Sequence, residues 1–168
     1  MATSPTPAAN QAPASGFQPA FKRVAQTNDF DCWLACIAMI VNRPLAEVRQ
    51  VAADRFKFPK NGPYTFMDEG LIAKLLANWS FTATVYKESA GIAALPDVCI
   101  GMVEYNPETE IGRHVVFVRQ RGAAGKPNVE YIIDPAPWVA ESQQVRTDIK
   151  GFPISWYIGI TPMKPAGK

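Results

Sequence analysis

The ten-residue apolar run from Cys32 to Val41 constrains the fold of this chain more than any other feature. A helix that is apolar on every side has to be buried on every side, so the run predicts a central core helix over about 32–42. Its length is about half of what a bilayer requires, which argues against a membrane span. A cluster of turn-forming residues at 27–31 precedes the run, and Arg43-Pro44 ends it.

A change of periodicity separates the two halves of the chain. Helical patterns come first, and short stretches typical of strands follow from residue 80. Thr65 and Asp68 resemble a capping box that opens the third helix. Helices followed by strands predict an α+β fold, in which N-terminal helices with a buried central helix pack on a C-terminal antiparallel sheet. Beyond the central helix, the predicted elements are helices over about 45–56 and 66–78 and strands over 81–86, 98–105, 115–120, 129–133 and 155–160.

Composition divides the chain into a tail and a domain. With 168 residues, of which 48% are apolar and 19% charged, the chain supports one compact domain, placed at 21–163. The first twenty residues contain six alanines, four prolines and no charged side chain, which predicts a disordered tail over 1–20. A short flexible C-terminus is expected over 164–168. The tail is interpreted as a linker, with a secretion address as the alternative.

Charge and cysteine content exclude several classes of function. The net charge is only +2 and the basic residues are scattered, so no nucleic-acid partner is expected. The N-terminus lacks the positive and apolar regions of a Sec signal peptide. Three cysteines, an odd number, favour a reduced compartment over a disulfide framework. We expect no membrane insertion, and either a cytoplasmic location or export by a dedicated non-Sec secretion system.

Cys32 stands where the central helix begins, directly after the turn cluster. Unpaired backbone N–H groups and the helix dipole at such a position favour the thiolate, which is the nucleophilic form of cysteine. The negative charge of Asp29 and Asp31 opposes this effect, so these carboxylates must face away from the sulfur or be neutralised. Cys36 and Cys99 lie in apolar surroundings and are interpreted as small core residues.

His114 is the single histidine of the chain and precedes the apolar run at 115–118. Any cysteine–histidine pair must therefore include it, and the entry edge of a core strand would let its ring reach a cleft. Asp134 ends the next predicted strand, where a carboxylate needs a polar partner. A hairpin turning near 122–126 would bring Asp134 beside His114 and let the carboxylate orient the imidazole.

Gln26 lies six residues before Cys32. Its side-chain amide there could donate a hydrogen bond to the oxyanion of a tetrahedral intermediate, together with the backbone N–H of Cys32. The order glutamine, cysteine, histidine, aspartate, with the cysteine opening a buried helix, is more specific than any one of these residues.

This order resembles the papain-like cysteine peptidase superfamily. From Gln26 to Cys32 the chain carries the Gln-x5-Cys spacing of this superfamily. The tryptophan directly after the cysteine, Trp33, is a further similarity to papain. The run from Asp31 to Met39, then His114-Val115-Val116 and Asp134-Pro135, most closely resembles bacterial peptidases that process double-glycine leader peptides. Those peptidases usually have glycine after the nucleophile. Stand-alone papain-like effector proteases of plant-associated bacteria are also similar and share the Cys-Trp pair.

The resemblance implies a role for each of the four residues. Cys32 would be the nucleophile, His114 the general acid and base, Asp134 the orienting residue and Gln26 the oxyanion donor. The implied reaction is hydrolysis of a peptide or isopeptide bond through a thioester, on a protein or peptide substrate, with no metal or organic cofactor. The segments 57–64 and 135–151 are candidate rims of the substrate cleft. Nothing in the sequence indicates the oligomeric state.

Three alternatives stay open from the sequence. Cys32, His114 and Asp134 would equally serve a glutamine deamidase or transglutaminase, because the acyl-enzyme is chemically equivalent. A non-catalytic domain that binds peptides could keep the fold. A zinc site is a third possibility, although a Cys-x3-Cys spacing inside an apolar helix departs from the usual ligand loops. Its ligands would be Cys32, Cys36, Cys99 and His114.

Overall fold

The computed structural model describes residues 17–60 and 68–164. In this part of the chain, helices precede an antiparallel sheet, as the sequence predicts. The helices are α1 (Cys32–Val41), α2 (Leu45–Phe56), α3 (Glu69–Asn78) and the short α4 (Glu141–Gln144). The strands are β1 (Phe81–Ala83), β2 (Lys87–Glu88), β3 (Val98–Asn106), β4 (Ile111–Gln120), β5 (Val129–Ile133), β6 (Val145–Arg146) and β7 (Trp156–Pro162).

Helix α1 is the core helix that its composition predicts, because all ten of its residues are buried. It ends at Asn42, whose φ of 54° is the left-handed conformation that asparagine tolerates at a helix C-terminus. Helix α2 follows Pro44 and turns Leu45, Val48 and Ala52 into the core. The predicted bounds of α1 and α2 are therefore confirmed to within one residue.

The sheet has the strand order β1-β7-β3-β4-β5-β6, and β2 pairs separately with β7. Strand β4 lies near its middle. Because side chains alternate along a strand, Val116 and Val118 pack in the cluster that contains α1, whereas Val115 and Phe117 pack in a second cluster. Apolar side chains cover both faces of β4, which explains why its sequence is continuously apolar rather than alternating.

Strand β4 begins four residues earlier than predicted, so His114 lies within the strand and not at its entry edge. The predicted strand started at the apolar run 115–118. In the structure, β3 also pairs with the more polar residues of β4 that precede this run, and the pairing extends to Asn106 opposite Ile111. Gly112 permits this pairing. A Cβ atom there would lie 2.6 Å from the Met102 side chain, too close for any other residue without a shift.

The remaining elements differ from the predictions in extent. The predicted strand 81–86 ends at Ala83, and β2, α4 and β6 were not predicted. Thr65 and the first residues of the predicted third helix lie outside the described residues. Asp68 does cap α3, because its carboxylate accepts a hydrogen bond of 2.8 Å from the Gly70 N–H.

The packed part of the chain begins before residue 21. The ring of Phe17 packs edge-on against Tyr131 with centroids 4.8 Å apart, and the Ala20 N–H donates to the Tyr131 hydroxyl at 2.6 Å. The predicted tail therefore joins the domain at its last four residues, and positions 1–16 and 165–168 lie outside the described residues. None of the described helices combines the length and the apolar character needed to cross a membrane.

Candidate active site

The start of α1 is built by the loop before it. Asp31 is fully buried, and its carboxylate makes no capping bond to α1. It turns back instead to accept hydrogen bonds from the Thr27 N–H at 3.1 Å and the Asn28 N–H at 3.2 Å, and it forms an ion pair with Arg49. The expectation that this carboxylate is neutralised is met only in part, because Arg49 pairs with it but its charge still raises the pKa of Cys32. The Asp31 charge is directed away from the helix start, which frees the first N–H groups of α1 for other partners.

Cys32 and His114 meet at this helix start, 82 positions apart in sequence. The sulfur lies 3.4 Å from His114 Nδ1, and the backbone N–H of His114 points at the same sulfur over 3.3 Å. Strand β4 places the ring there because His114 shares the face of Val116 and Val118, which is packed against α1. The structure therefore brings the predicted nucleophile and the predicted base into hydrogen-bonding distance.

Burial sets the protonation of this pair. It raises the pKa of the Cys32 thiol from 9.0 to about 11, although the backbone N–H groups of His114 and Trp33 pull in the other direction. Burial likewise lowers the pKa of His114 from 6.5 to about 3. The expected low thiol pKa is therefore not found, because desolvation outweighs the helix start. The resting site is a neutral thiol beside a neutral imidazole.

The neutral state of His114 predicts a pH-dependent stability. His114 has a pKa of 6.5 in the unfolded chain and of about 3 in the folded chain. The free energy of unfolding is therefore at its full value above pH 6.5 and decreases as the pH falls towards 3, because the unfolded chain then binds the proton more readily. Between about pH 7 and about pH 4 we expect this residue to cost the parent about 3 kcal/mol. Urea unfolding of the parent and of His114→Gln at both pH values measures this loss of stability. An equal loss of stability in the two proteins would contradict the prediction.

The second ring nitrogen of His114 contacts Tyr86, which the sequence analysis missed. Nε2 lies 2.9 Å from the Tyr86 hydroxyl oxygen. Tyr86 follows the end of β1, and its backbone N–H donates to the Glu69 carboxylate at the start of α3 over 2.7 Å. No local sequence signal marks Tyr86, because only the packing of α3 beside β1 brings its side chain to the histidine.

Asp134 does not reach the imidazole. Its carboxylate instead accepts from Arg113 at 2.6 Å and from the Ala136 N–H at 2.9 Å. The register of β4 and β5 explains this. Ile133 pairs with Val116, so the next residue, Asp134, lies opposite Val115. Because side chains alternate along a strand, Asp134 shares a face of the sheet with Arg113, whereas His114 points to the other face. The predicted Asp134–His114 contact is therefore replaced by an ion pair with the neighbouring residue.

Gln26, the predicted oxyanion donor, is buried in the loop before α1. Its side-chain amide donates to the Asn28 carbonyl at 2.8 Å, and its backbone N–H donates to the Pro135 carbonyl at 2.9 Å. The Gln26 Oε1 atom is buried without a hydrogen-bond partner among the described residues. These bonds fix the side chain in the loop and leave one amide hydrogen uncommitted.

The alternative zinc site is not assembled. Cys99 belongs to the cluster on the face of the sheet opposite α1, whereas Cys32 and His114 lie on the α1 side. Across residues 17–60 and 68–164, no group of three or more histidine, cysteine or acidic side chains is arranged to hold a metal ion. Cys36 and Cys99 are fully buried, free thiols, as the core interpretation predicts.

Cys32 and His114 line a cleft of about 340 Å³. Its wall comes from both halves of the fold, and several aromatic rings contribute to it. None of the described residues of the candidate rims, 57–60 and 135–151, lines the cleft, and 61–64 lie outside the described residues. The two charged side chains of the lining, Asp29 and Glu110, are exposed and acidic. The rings that line the cleft belong to Phe30, Trp33, Tyr86, Tyr105 and Trp156.

Comparison with known proteins identifies a solved structure with a similar fold. No protein-family model matches the chain, and no curated protein matches it. The chain is similar to a solved double glycine motif protease from an AMS/PCAT transporter, crystallised in complex with the leader peptide. The TM-score is 0.52 and the identity 17%, over 85% of this chain and 92% of that chain. At this identity the likeness shows the fold alone, so the chain has the fold of a double glycine motif protease.

Proposed function

We propose that the chain is a papain-like cysteine peptidase that hydrolyses a peptide or isopeptide bond through a thioester at Cys32. The observation that carries the proposal is the 3.4 Å approach of the Cys32 sulfur to His114 Nδ1 at the wall of an open cleft. Nucleophile and base within hydrogen-bonding distance, at the start of a helix, are what acyl transfer requires. The fold shared with a protease supports the same reaction.

The proposed reaction begins with transfer of the thiol proton from Cys32 to His114 Nδ1. The sulfur then bonds to the substrate carbonyl carbon, and the carbonyl oxygen becomes an oxyanion. The carbon–nitrogen bond breaks as His114 returns the proton to the leaving amine, which leaves a thioester on Cys32. Water attacks the thioester, gives one proton to His114 and releases the carboxylic acid, and the proton returns to the sulfur.

The oxyanion needs hydrogen-bond donors at the start of α1. The first N–H groups of the helix are suited to this role, because the Asp31 side chain does not cap them. We propose Gln26 as the side-chain donor, through the amide hydrogen that the Asn28 carbonyl leaves uncommitted. Substrate binding would bring the developing charge to these donors, in a site where burial strengthens each hydrogen bond.

The cleft favours a peptide with a large apolar side chain near the scissile bond. Aromatic rings such as Tyr105 and Trp156 supply apolar surface, and the exposed carboxylates of Asp29 and Glu110 disfavour an acidic residue beside it. The solved neighbour was crystallised with a leader peptide, which supports a peptide as the ligand class.

Incubation with a peptide library of mixed sequence, read by mass spectrometry, tests the proposal. We expect new peptide termini, enriched in large apolar residues near the cleavage point and depleted in acidic ones. The library without protein is the background. Conversion of glutamine to glutamate without backbone cleavage would replace the peptidase by the deamidase alternative. A library left unchanged by the folded chain would contradict both.

A further inference from the structure

We propose that Tyr86 is the positioning residue of this site and that its hydroxyl oxygen holds His114 in the tautomer that can accept the thiol proton. The inference rests on the proposed function, whose base is His114. It starts from the 2.9 Å contact between the Tyr86 oxygen and Nε2, the ring nitrogen that faces away from the sulfur. A neutral imidazole carries one proton, so the group at Nε2 influences the state of Nδ1.

The proton positions follow from the donors around the Cys32 sulfur. The backbone N–H of His114 donates to it over 3.3 Å. With this N–H donating to the sulfur, the S–H proton of Cys32 turns to the other polar neighbour of the sulfur. That neighbour is His114 Nδ1 at 3.4 Å. Nδ1 therefore accepts a hydrogen bond and carries no proton in the resting site.

The ring then has its single proton on Nε2. Nε2 donates it to the Tyr86 oxygen, and this hydrogen bond completes a chain from sulfur to imidazole to phenol. In the opposite tautomer, Nδ1 would present an N–H to a sulfur that already accepts from the His114 backbone, and Nδ1 could not accept the thiol proton. The Tyr86 oxygen accepts the hydrogen bond from Nε2 and thereby supports the productive arrangement of His114.

Tyr86 is held firmly enough to act in this way. Its backbone N–H is tied to Glu69 in the first turn of α3, so α3 sets the position of the phenol relative to the sheet. Burial raises the pKa of its hydroxyl well above the ordinary value, which keeps the oxygen neutral over the physiological range. A neutral acceptor supports the Nε2 proton without adding a carboxylate charge to the pocket.

This arrangement separates two roles that a carboxylate would combine. Asp134 is engaged with Arg113, and the same arginine reaches Glu104 at 2.9 Å. Among the described residues, the side chains that hydrogen-bond to the imidazole ring are Cys32 and Tyr86, neither of which is a carboxylate. Tyr86 orients the ring, but it stabilises an imidazolium less than an aspartate would. The neutral resting pair of Cys32 and His114 is consistent with an orienting group of this kind.

Nitrogen NMR of the single histidine tests the inference. In the full chain labelled with ¹⁵N-histidine, His114 contributes one pair of ring nitrogens. At about pH 7 we expect the parent to show a protonated Nε2 and an unprotonated Nδ1. Tyr86→Phe keeps the aromatic ring and removes the acceptor, so the two nitrogen shifts should move towards each other as the other tautomer gains population. Tyr105→Phe, the same chemical change in the same cleft, and Asp134→Asn should leave both shifts in place.

Kinetics give the second measurement. Tyr86→Phe should lower kcat about tenfold with KM nearly unchanged, because the hydrogen bond orients the base rather than the substrate. Ring shifts that are unchanged in Tyr86→Phe, or that move in Asp134→Asn instead, would overturn the assignment of Tyr86. The NMR outcome does not depend on turnover. If the parent cleaves no peptide, the proposed function fails while the role of Tyr86 at the histidine is still decided.

Discussion

Replacing Cys32 by alanine is expected to abolish peptide hydrolysis, with a fall in kcat/KM of at least about 10³-fold. The thioester forms on this sulfur, and neither Cys36 nor Cys99 can substitute for it. Both of these thiols are fully buried, and Cys99 lies on the other face of the sheet. Cys32→Ser should lose nearly as much activity, because a hydroxyl in this position is a weaker nucleophile even with His114 beside it. Initial rates on a single library peptide provide the measurement.

Cys99→Ala is the matched control for the Cys32 variants. It removes a buried thiol from the second cluster and leaves the cleft intact, so kcat/KM should stay within about twofold of the parent while stability falls by about 1 kcal/mol. Circular dichroism and urea unfolding confirm that each variant is folded. A folded Cys32→Ala protein with parental activity would remove Cys32 from the mechanism.

Replacing Arg49 by leucine is expected to destabilise the fold by about 3 kcal/mol. Asp31 is fully buried, and Arg49 is its ion-pair partner, with 31% of the arginine side chain exposed. Without Arg49 the carboxylate keeps its hydrogen bonds to the Thr27 and Asn28 N–H groups but becomes an unpaired buried charge next to α1. Urea unfolding at about pH 7 measures the loss.

The same substitution should also affect the thiol. Asp31 already raises the pKa of Cys32, and its charge acts more strongly once Arg49 is gone. Alkylation of Cys32 at alkaline pH should therefore slow in Arg49→Leu. The matched control is Arg43→Leu, which breaks an exposed pair with Glu47 and should cost less than about 1 kcal/mol. Equal destabilisation by the two variants would show that the Asp31 pair is not a structural support of the site.

The parts of the fold that could be predicted from the sequence are those that a local pattern determines. The core helix follows from ten consecutive apolar residues, and the bounds of α2 follow from Pro44 and the spacing of its apolar face. The approach of Cys32 to His114 was also predictable, because one opens the buried helix and the other belongs to a strand that has to pack on it.

Other features depend on register and on distant contacts, which local patterns do not show. Asp134 was assigned to the imidazole because it follows the next strand, but the pairing of Val116 with Ile133 puts it on the opposite face, beside Arg113. Tyr86 reaches His114 only because α3 anchors its backbone. The thiol pKa was misjudged for a similar reason, since the depth of burial exceeds what a helix start offsets.

The most direct test of the account is covalent labelling of the full chain with a peptide vinyl sulfone, built on the best-cleaved library sequence and mapped by mass spectrometry. We predict one label per chain, carried by Cys32, with labelling strongly slowed in His114→Gln because the thiol then lacks its proton acceptor. Labelling of Cys36 or Cys99 at the same rate as Cys32, or a rate that does not depend on His114, would contradict the assignment of these two residues as nucleophile and base.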